Sequence, residues 1–192
     1  AIQNDHIAFR TMGVSNLGIQ SLEKIFLYYG YTKRDSYYFP AKKLDAYWYS
    51  PPNSQLNWPR VFISELRVCE LSLDTQKIIC SYTDEVVSDP VAGLNLDNGD
   101  DVDTFLHQGL WRVPTWSDFC SLKSESEYAS WVIYNRYYLN HFTISVHDLP
   151  KGYNTIEDFN MFLKSIGIRL NAPKKGEVNR SQDGLLLQSS TK

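Results

Sequence analysis

Two stretches of the chain, one near each end, repeat the same order of structural elements. From His6, an alternating run leads into an amphipathic helix pattern that stops at Gly30. From His141, a second alternating run leads into a second helix pattern of nearly equal length, which stops at Gly167. This repeat constrains the fold more than any single motif, because each copy is expected to form one unit and the two units to pack together.

The first copy continues into three further strands. The run "HIAFRT" places His6, Ala8 and Arg10 on one face of a strand, because side chains alternate along a strand. The apolar stripe of the following helix consists of Leu22, Ile25, Phe26 and Tyr29. The runs "YTKRDSYYFP", "KKLDAYWYSPP" and "RVFISELRV" are rich in strand-forming residues and predict three strands. Residues 1–71 therefore predict one βαβββ module.

The second copy, residues 137–192, begins in the same way. "NHFTISV" predicts a strand, and "NTIEDFNMFLKSIG" predicts a helix in which Asn154 and Glu157 are spaced as a capping box. The predicted buried stripe of this helix consists of Ile156, Phe159, Phe162 and Ile166. "IRLNAP" and "GLLLQSSTK" predict two more strands. The counterpart of Glu65 in this copy would fall near position 200, so we expect the last strand of the second module to lie beyond Lys192.

Residues 72–136 separate the two copies and predict a mostly helical insertion. "DTQKIICSYTDEVV" and "SESEYASWVIYN" have helical patterns. The acidic run "NLDNGDDVD" lacks the Gly and Glu that a calcium-binding loop needs at its sixth and twelfth positions, so a solvated loop is predicted there.

The composition indicates a folded, soluble intracellular protein. The chain is 43% hydrophobic and carries a net charge of −3, which indicates neither a nucleic-acid partner nor a membrane span. Three cysteines, Cys69, Cys80 and Cys120, show no metal-binding spacing and predict free thiols in a reducing compartment. The chain has no initiator Met, which indicates a processed or trimmed piece without its targeting leader. The oligomeric state is left open.

Two of the four histidines occupy equivalent places in the repeat. If the modules pack about a pseudo-two-fold axis, His6 and His141 reach one cavity, where a carboxylate would complete the two-histidine, one-carboxylate triad of non-haem iron(II) oxygenases. The alternative is a structural role for each histidine. His147 lies too far along the strand to share that ion, and His107 has no evident partner.

Arg10 and Glu65 are the charged residues that could complete such a site. Arg10 shares the face of His6, so its guanidinium could hold the distal carboxylate of a dicarboxylic substrate bidentately, or it could form a salt bridge at the strand end. Glu65 could be a metal ligand, a partner of a ligand or a member of a buried ion pair.

The segments "DHIAFRT", "FPAKKLDAYWYSPP", "RVFISELRV" and "NHFTISVHDL", in this order, resemble the 2-oxoadipate dioxygenase/decarboxylase family, whose members are also called hydroxyglutarate synthases. The plant-type branch is the most similar, and a plant-type member could reside in a plastid. The resemblance implies an α+β fold of the vicinal-oxygen-chelate type, built from paired βαβββ modules, which agrees with the repeat.

The resemblance also implies a function in lysine catabolism. Such an enzyme uses Fe(II) to convert 2-oxoadipate and O₂ to 2-hydroxyglutarate and CO₂. By motif, His6 and His141 match its metal ligands and Arg10 matches its substrate-binding arginine, while the third ligand, a Glu, is expected beyond Lys192. Two alternatives remain: a glyoxalase-like isomerase or ring-cleaving dioxygenase on the same fold, and a metal-free module that binds a small anion.

Overall fold

The computed structural model describes residues 2–53, 57–172 and 176–191. Its contacts divide the chain into two compact units. One unit comprises Asp5–Thr143, and the other comprises the residues up to Asn4 together with those from Ile144 onwards. The division into 1–71, 72–136 and 137–192 stays a prediction.

The first module has the predicted order of strand, helix and three strands. Its elements are β1 (Asn4–Met12), α1 (Ile19–Tyr28), β2 (Thr32–Phe39), β3 (Leu44–Ser50) and β4 (Arg60–Leu66). These strands and β5 (His141–Ile144) form a five-stranded sheet in the order β2-β3-β4-β1-β5. The α+β class is therefore confirmed, and the second copy contributes its first strand to the sheet of the first.

Strand β1 lies between β4 and β5. It pairs in parallel with β4, with His6 opposite Arg60 and Thr11 opposite Glu65. On its other side, the Ala8 carbonyl accepts a hydrogen bond of 2.9 Å from the backbone N–H of Asn140, the residue before β5. Because both edges of β1 are paired, its backbone has little freedom to shift, and its register places every side chain on a defined face.

Helix α1 covers one face of this sheet. Its inward residues Leu22 and Ile25 are buried, and the ring of Phe26 packs 5.3 Å from that of Phe9 on β1. The N-terminus of the helix is held by strand residues, since Glu65 accepts a hydrogen bond of 2.7 Å from the Ile19 N–H and Thr11 accepts one from the Gly18 N–H. These bonds satisfy two backbone donors that a helix start would otherwise leave unpaired.

The insertion is helical, as predicted. It contains α2 (Leu73–Thr83), α3 (Gly99–His107), α4 (Trp116–Glu125) and α5 (Glu127–Asn135). Each begins after a capping residue whose side chain accepts a backbone N–H; these residues are Ser72, Asn98, Thr115 and Ser126. The prediction of a loop for the whole acidic run was wrong in its second half, because the Asn98 cap and Asp residues in the first turn favour helix α3.

The second copy forms its strand and its helix, but its cap differs from the prediction. Helix α6 (Ile156–Ser165) is capped by Thr155, whose hydroxyl accepts from the Asp158 N–H, so the predicted Asn154–Glu157 pair was displaced by one residue. Of the predicted buried stripe, Ile156 is buried, whereas Phe162 and Ile166 are exposed. That part of the prediction was wrong, because the rings of Tyr153 and Phe159 that contact Phe162 cover this face only in part.

The two predicted late strands are much shorter than expected. Of "IRLNAP", Leu170 forms only an isolated bridge with Thr191, and Pro173 lies outside the described residues. Of "GLLLQSSTK", only β7 (Leu187–Gln188) is a strand, and it pairs with β6 (Asn179–Arg180). No helix in the described ranges is long and apolar enough to cross a membrane.

The two copies end their helices in the same way. Gly30 and Gly167 have φ values of 82° and 86°. After each glycine, the next backbone N–H donates to a carbonyl five residues earlier, Tyr31 to Phe26 and Ile168 to Leu163. This is the Schellman ending, which needs a left-handed residue and therefore favours glycine. The repeat read from the sequence is thus preserved in local backbone geometry.

We predict that Gly30→Ala lowers the free energy of unfolding by about 1–2 kcal/mol, because an L residue is strained in the left-handed region. The added Cβ would also lie 3.1 Å from the Cβ of Pro52. Gly93→Ala is the matched control, since its Cβ would meet nothing within 4 Å, and it should change stability by less than about 0.5 kcal/mol. Denaturant unfolding compares the two, and equal stabilities would contradict the assignment.

Candidate metal centre and substrate cavity

The structure brings the two repeat-related histidines together. His6 lies on β1, and His141 opens the neighbouring strand β5. Their ring centroids are 5.6 Å apart, and the ring planes stand at 81°. A metal–imidazole bond of about 2 Å puts the ion about 3 Å from each ring centre, so this separation allows both rings to bind one ion.

Each histidine is oriented by the residue that precedes it. The Nδ1 of His6 lies 2.8 Å from Oδ2 of Asp5, and the Nδ1 of His141 lies 2.8 Å from Oδ1 of Asn140. Because these oxygens only accept, each Nδ1 carries the proton and each Nε2 keeps its lone pair. A ligand histidine commonly has this arrangement, with the remote N–H donated to a carboxylate or carbonyl oxygen.

The second ring nitrogen of His6, Nε2, accepts a hydrogen bond. The Thr143 hydroxyl lies 3.0 Å from Nε2 of His6, and it donates because that nitrogen is the acceptor in this tautomer. The pKa of His141 is lowered by burial first, and then by the neighbouring His6 and Arg10, so its imidazole favours the neutral form that a metal ligand needs. The donor chemistry of the pair therefore fits a divalent metal ion.

A third ligand is not supplied by the part of the chain that the structure describes. Among residues 2–53, 57–172 and 176–191, no group of three or more His, Cys, Asp or Glu side chains could hold an ion. Glu65, one of the candidates, is turned away from the histidines. In the β1–β4 register Glu65 pairs with Thr11, which is five residues from His6. Because side chains alternate along a strand, this odd spacing puts Glu65 on the opposite face of the sheet, where its carboxylate caps helix α1.

The suggestion that Glu65 is a metal ligand is therefore not supported by the structure. The carboxylate belongs to the core beneath the sheet, where burial is the largest cause of its raised pKa and the hydrogen bond from Ile19 opposes that shift. Its role as a helix cap explains why a carboxylate is placed at this position.

Arg10 lines a cavity on the face of the sheet that carries the histidines. The cavity has a volume of about 460 Å³, and Ala8, Phe62, Ser64 and His141 also form part of its wall. The guanidinium lies 5.0 Å from the ring centre of Tyr128 and 5.1 Å from that of Trp131, and burial lowers the pKa of Arg10. Arg10 and His141 thus line one cavity, whereas His6, which was predicted to reach it as well, is not among the lining residues and lies beside it against His141.

The other two histidines lie in ordinary surroundings. His107 closes helix α3, where its Nδ1 donates to the Asp103 carbonyl at 2.7 Å and its ring meets the edge of Tyr138. His147 lies in the short 3₁₀ turn after β5, and its side chain is 82% exposed. Neither of these two lies against a second imidazole, as His6 and His141 do.

The sequence analysis did not predict several residues of the site. Asp5 and Asn140 orient the histidines, Thr143 bonds to one of them, and Tyr128 and Trp131 contact Arg10. A signal for the first two was present, because each repeat-related His follows a residue with a side-chain oxygen. No comparable signal marked the two aromatic residues, which reach the site from the insertion.

Comparison with known proteins identifies the family of the chain. The family model described as 2-oxoadipate dioxygenase/decarboxylase matches residues 1–192. The chain belongs to this family. It is 46% identical, over 197 aligned positions, to the Arabidopsis thaliana protein named chloroplastic 2-oxoadipate dioxygenase/decarboxylase. That alignment includes 97% of this chain and 51% of the relative, so the chain spans about half the length of such family members.

Solved structures of relatives have the same fold. The hydroxyglutarate synthase of Oryza sativa, determined in complex with 2-oxoadipate, matches with a TM-score of 0.86 and 41% identity over 99% of this chain and 61% of that chain. A glyoxalase-superfamily protein of Ralstonia eutropha matches with a TM-score of 0.72 and 18% identity over 95% of this chain and 60% of that one. The second likeness concerns the fold alone.

We predict that Glu65→Ala lowers the free energy of unfolding by about 1–2 kcal/mol, because the Ile19 N–H loses its acceptor at the helix start. Glu65→Gln should lose less, since its amide oxygen can still accept that N–H. Thermal or denaturant unfolding measures both. Neither variant of the complete protein should lose bound metal, and a loss of metal without a loss of stability would restore Glu65 as a ligand.

Proposed function

We propose that the protein containing this chain is a non-haem Fe(II) enzyme of lysine catabolism. It would convert 2-oxoadipate and O₂ to 2-hydroxyglutarate and CO₂, a reaction in which all the atoms of the two substrates appear in the two products. The observation that carries the proposal is the combination of two adjacent imidazoles, each oriented through its Nδ1, and a guanidinium that shares a cavity with one of them.

The histidines would hold the metal. His6 and His141 offer Nε2, Asp5 and Asn140 fix the ring orientations, and the third ligand is proposed to be a Glu beyond Lys192. Bound Fe(II) would activate O₂, a reaction that protein side chains alone cannot perform. It would also polarise the 2-oxo acid.

The chain's own contribution to substrate binding would come from charge and shape. Arg10 would receive the distal carboxylate, because its planar guanidinium can donate two parallel hydrogen bonds to it. Phe39 and Phe62 line the same cavity and would restrict water around the reacting end. Lys42 and Lys43 also line the cavity, and together with Arg10 they outnumber its two carboxylates, Glu125 and Glu127, which favours an anionic substrate.

The guanidinium favours this reaction over the other chemistries of the fold. Within the described residues Arg10 makes no hydrogen bond or ion pair, so it is available for a carboxylate that a glyoxalase-like isomerase or ring-cleaving dioxygenase would not require. Release of CO₂ in step with consumption of 2-oxoadipate separates the proposed reaction from both. The names of the plant relatives place those proteins in the chloroplast, which supports a plastid location for this protein as well.

We predict that His6→Ala and His141→Ala, made in the complete protein, each abolish O₂ uptake that depends on 2-oxoadipate and reduce bound iron to a minor fraction. Each variant removes one of only two nitrogen donors proposed for the ion. Oxygen-electrode assays and metal analysis measure the two effects. His147→Ala is the matched control, because that imidazole is exposed in a turn and should leave both quantities unchanged. Normal turnover with normal iron in either of the first two variants would refute the ligand assignment.

We predict that Arg10→Ala raises KM for 2-oxoadipate by about 10- to 150-fold, the equivalent of the 1.5–3 kcal/mol of a charge-assisted hydrogen bond. A shorter monocarboxylic 2-oxo acid should be affected much less, because it has no distal carboxylate. Arg34→Ala controls for loss of a positive charge elsewhere, since Arg34 bonds to Ser50 at the sheet edge. Steady-state kinetics with both substrates measures the two KM values. An equal rise in KM for both substrates would contradict the contact between Arg10 and the distal carboxylate.

A further inference from the structure

We infer that Tyr128 and Trp131 of helix α5 position Arg10 for the distal carboxylate and so determine the preference for a dicarboxylic substrate. The inference rests on the proposed function in one respect, namely that it takes the ligand of Arg10 to be that carboxylate. Neither aromatic residue is assigned to the metal centre, and both come from the insertion rather than from the repeated modules.

The first step of the argument is the state of the guanidinium. Arg10 is partly buried, and burial is the largest cause of its lowered pKa. Glu127 also lines the cavity and attracts the guanidinium from a distance, but no carboxylate in the described residues lies within ion-pair range of it. Withdrawing a cation from water without a partner is costly, so something else must stabilise this one.

The two aromatic faces provide that stabilisation. The Arg10 Cζ atom lies 5.0 Å and 5.1 Å from the ring centres of Tyr128 and Trp131, within the range of a cation–π interaction. An ion pair with Asp or Glu would occupy the N–H donors of the guanidinium. Two ring faces attract the cation and leave its donors unoccupied, so the arginine is held in place and can still bind an anion.

Tyr128 is itself fixed to the sheet. Its hydroxyl donates to the Ser64 carbonyl at 2.7 Å, lies 2.9 Å from the Ser64 hydroxyl and accepts the Thr11 N–H at 3.2 Å. These contacts connect helix α5 to β4 and β1. Trp131, one turn further along α5, packs against the core cluster. The orientation of Arg10 is therefore set by a rigid element, which a specific contact requires.

The test compares Trp131→Leu with Tyr134→Leu in the complete protein. Tyr134 lies one turn beyond Trp131 on the same helix and is exposed, so its variant controls for loss of an aromatic ring from α5. For Trp131→Leu we expect KM for 2-oxoadipate to rise about 3- to 30-fold with kcat nearly unchanged. KM for 2-oxohexanoate, which has the same chain length but no distal carboxylate, should not change. Trp131→Phe should restore most of the affinity.

A second measurement separates this inference from the proposed function. Adipate has both carboxylates but no oxo group, so its binding reports on Arg10 without turnover. Adipate is titrated into the protein, and its binding is followed by NMR through the ¹⁵Nε–H resonance of Arg10. If the wild-type protein does not oxidise 2-oxoadipate, yet adipate binds several-fold more weakly to Trp131→Leu than to Tyr134→Leu, the proposed function fails and the positioning role stands.

Two results would overturn the inference. One is a Trp131→Leu variant whose kinetics and adipate affinity equal those of Tyr134→Leu. The other is a loss of kcat that is the same for 2-oxoadipate and 2-oxohexanoate, which indicates a purely structural role. Should Trp131→Leu fail to fold, Trp131→Phe decides, because the smaller ring should still raise KM for 2-oxoadipate at least about two-fold. An unchanged KM there would equally overturn the inference.

Discussion

The central position of β1 is the constraint on which the rest of the site depends. Its pairing with β4 on one side and β5 on the other brings His6 next to His141, and it fixes which face each residue presents. Even-numbered positions of β1 carry the imidazole and the guanidinium, while odd-numbered positions such as Thr11 pack toward helix α1. A slip of one residue in this register would exchange the two faces and turn both groups to the opposite side of the sheet.

The alternation also explains which sequence predictions were confirmed. The repeat, the βαβββ order and the shared face of His6 and Arg10 follow from patterns that are local in the chain, so they could be read from it. The adjacency of His6 and His141 needed the added assumption of pseudo-symmetry. The role of Glu65 stayed open because its sequence offset from His6 shows nothing of where a side chain points, whereas the parallel register with Thr11 places it on the opposite face.

Other features depend on tertiary contacts that no local pattern records. Tyr128 and Trp131 lie more than a hundred residues after Arg10, and their spacing on α5 looks like that of any amphipathic helix. Only the fold shows that their ring faces meet the guanidinium.

The two copies of the repeat contribute different things to the site. Each supplies one imidazole, oriented by the side-chain oxygen of the preceding residue, which suits an ion with two equivalent nitrogen ligands. The position four residues after the histidine differs between them, being Arg10 in the first copy and the buried Ser145 in the second. A substrate with one distal carboxylate needs only one such cation. The insertion that holds this cation follows the first copy, so the asymmetry of the chain corresponds to the asymmetry of the proposed ligand.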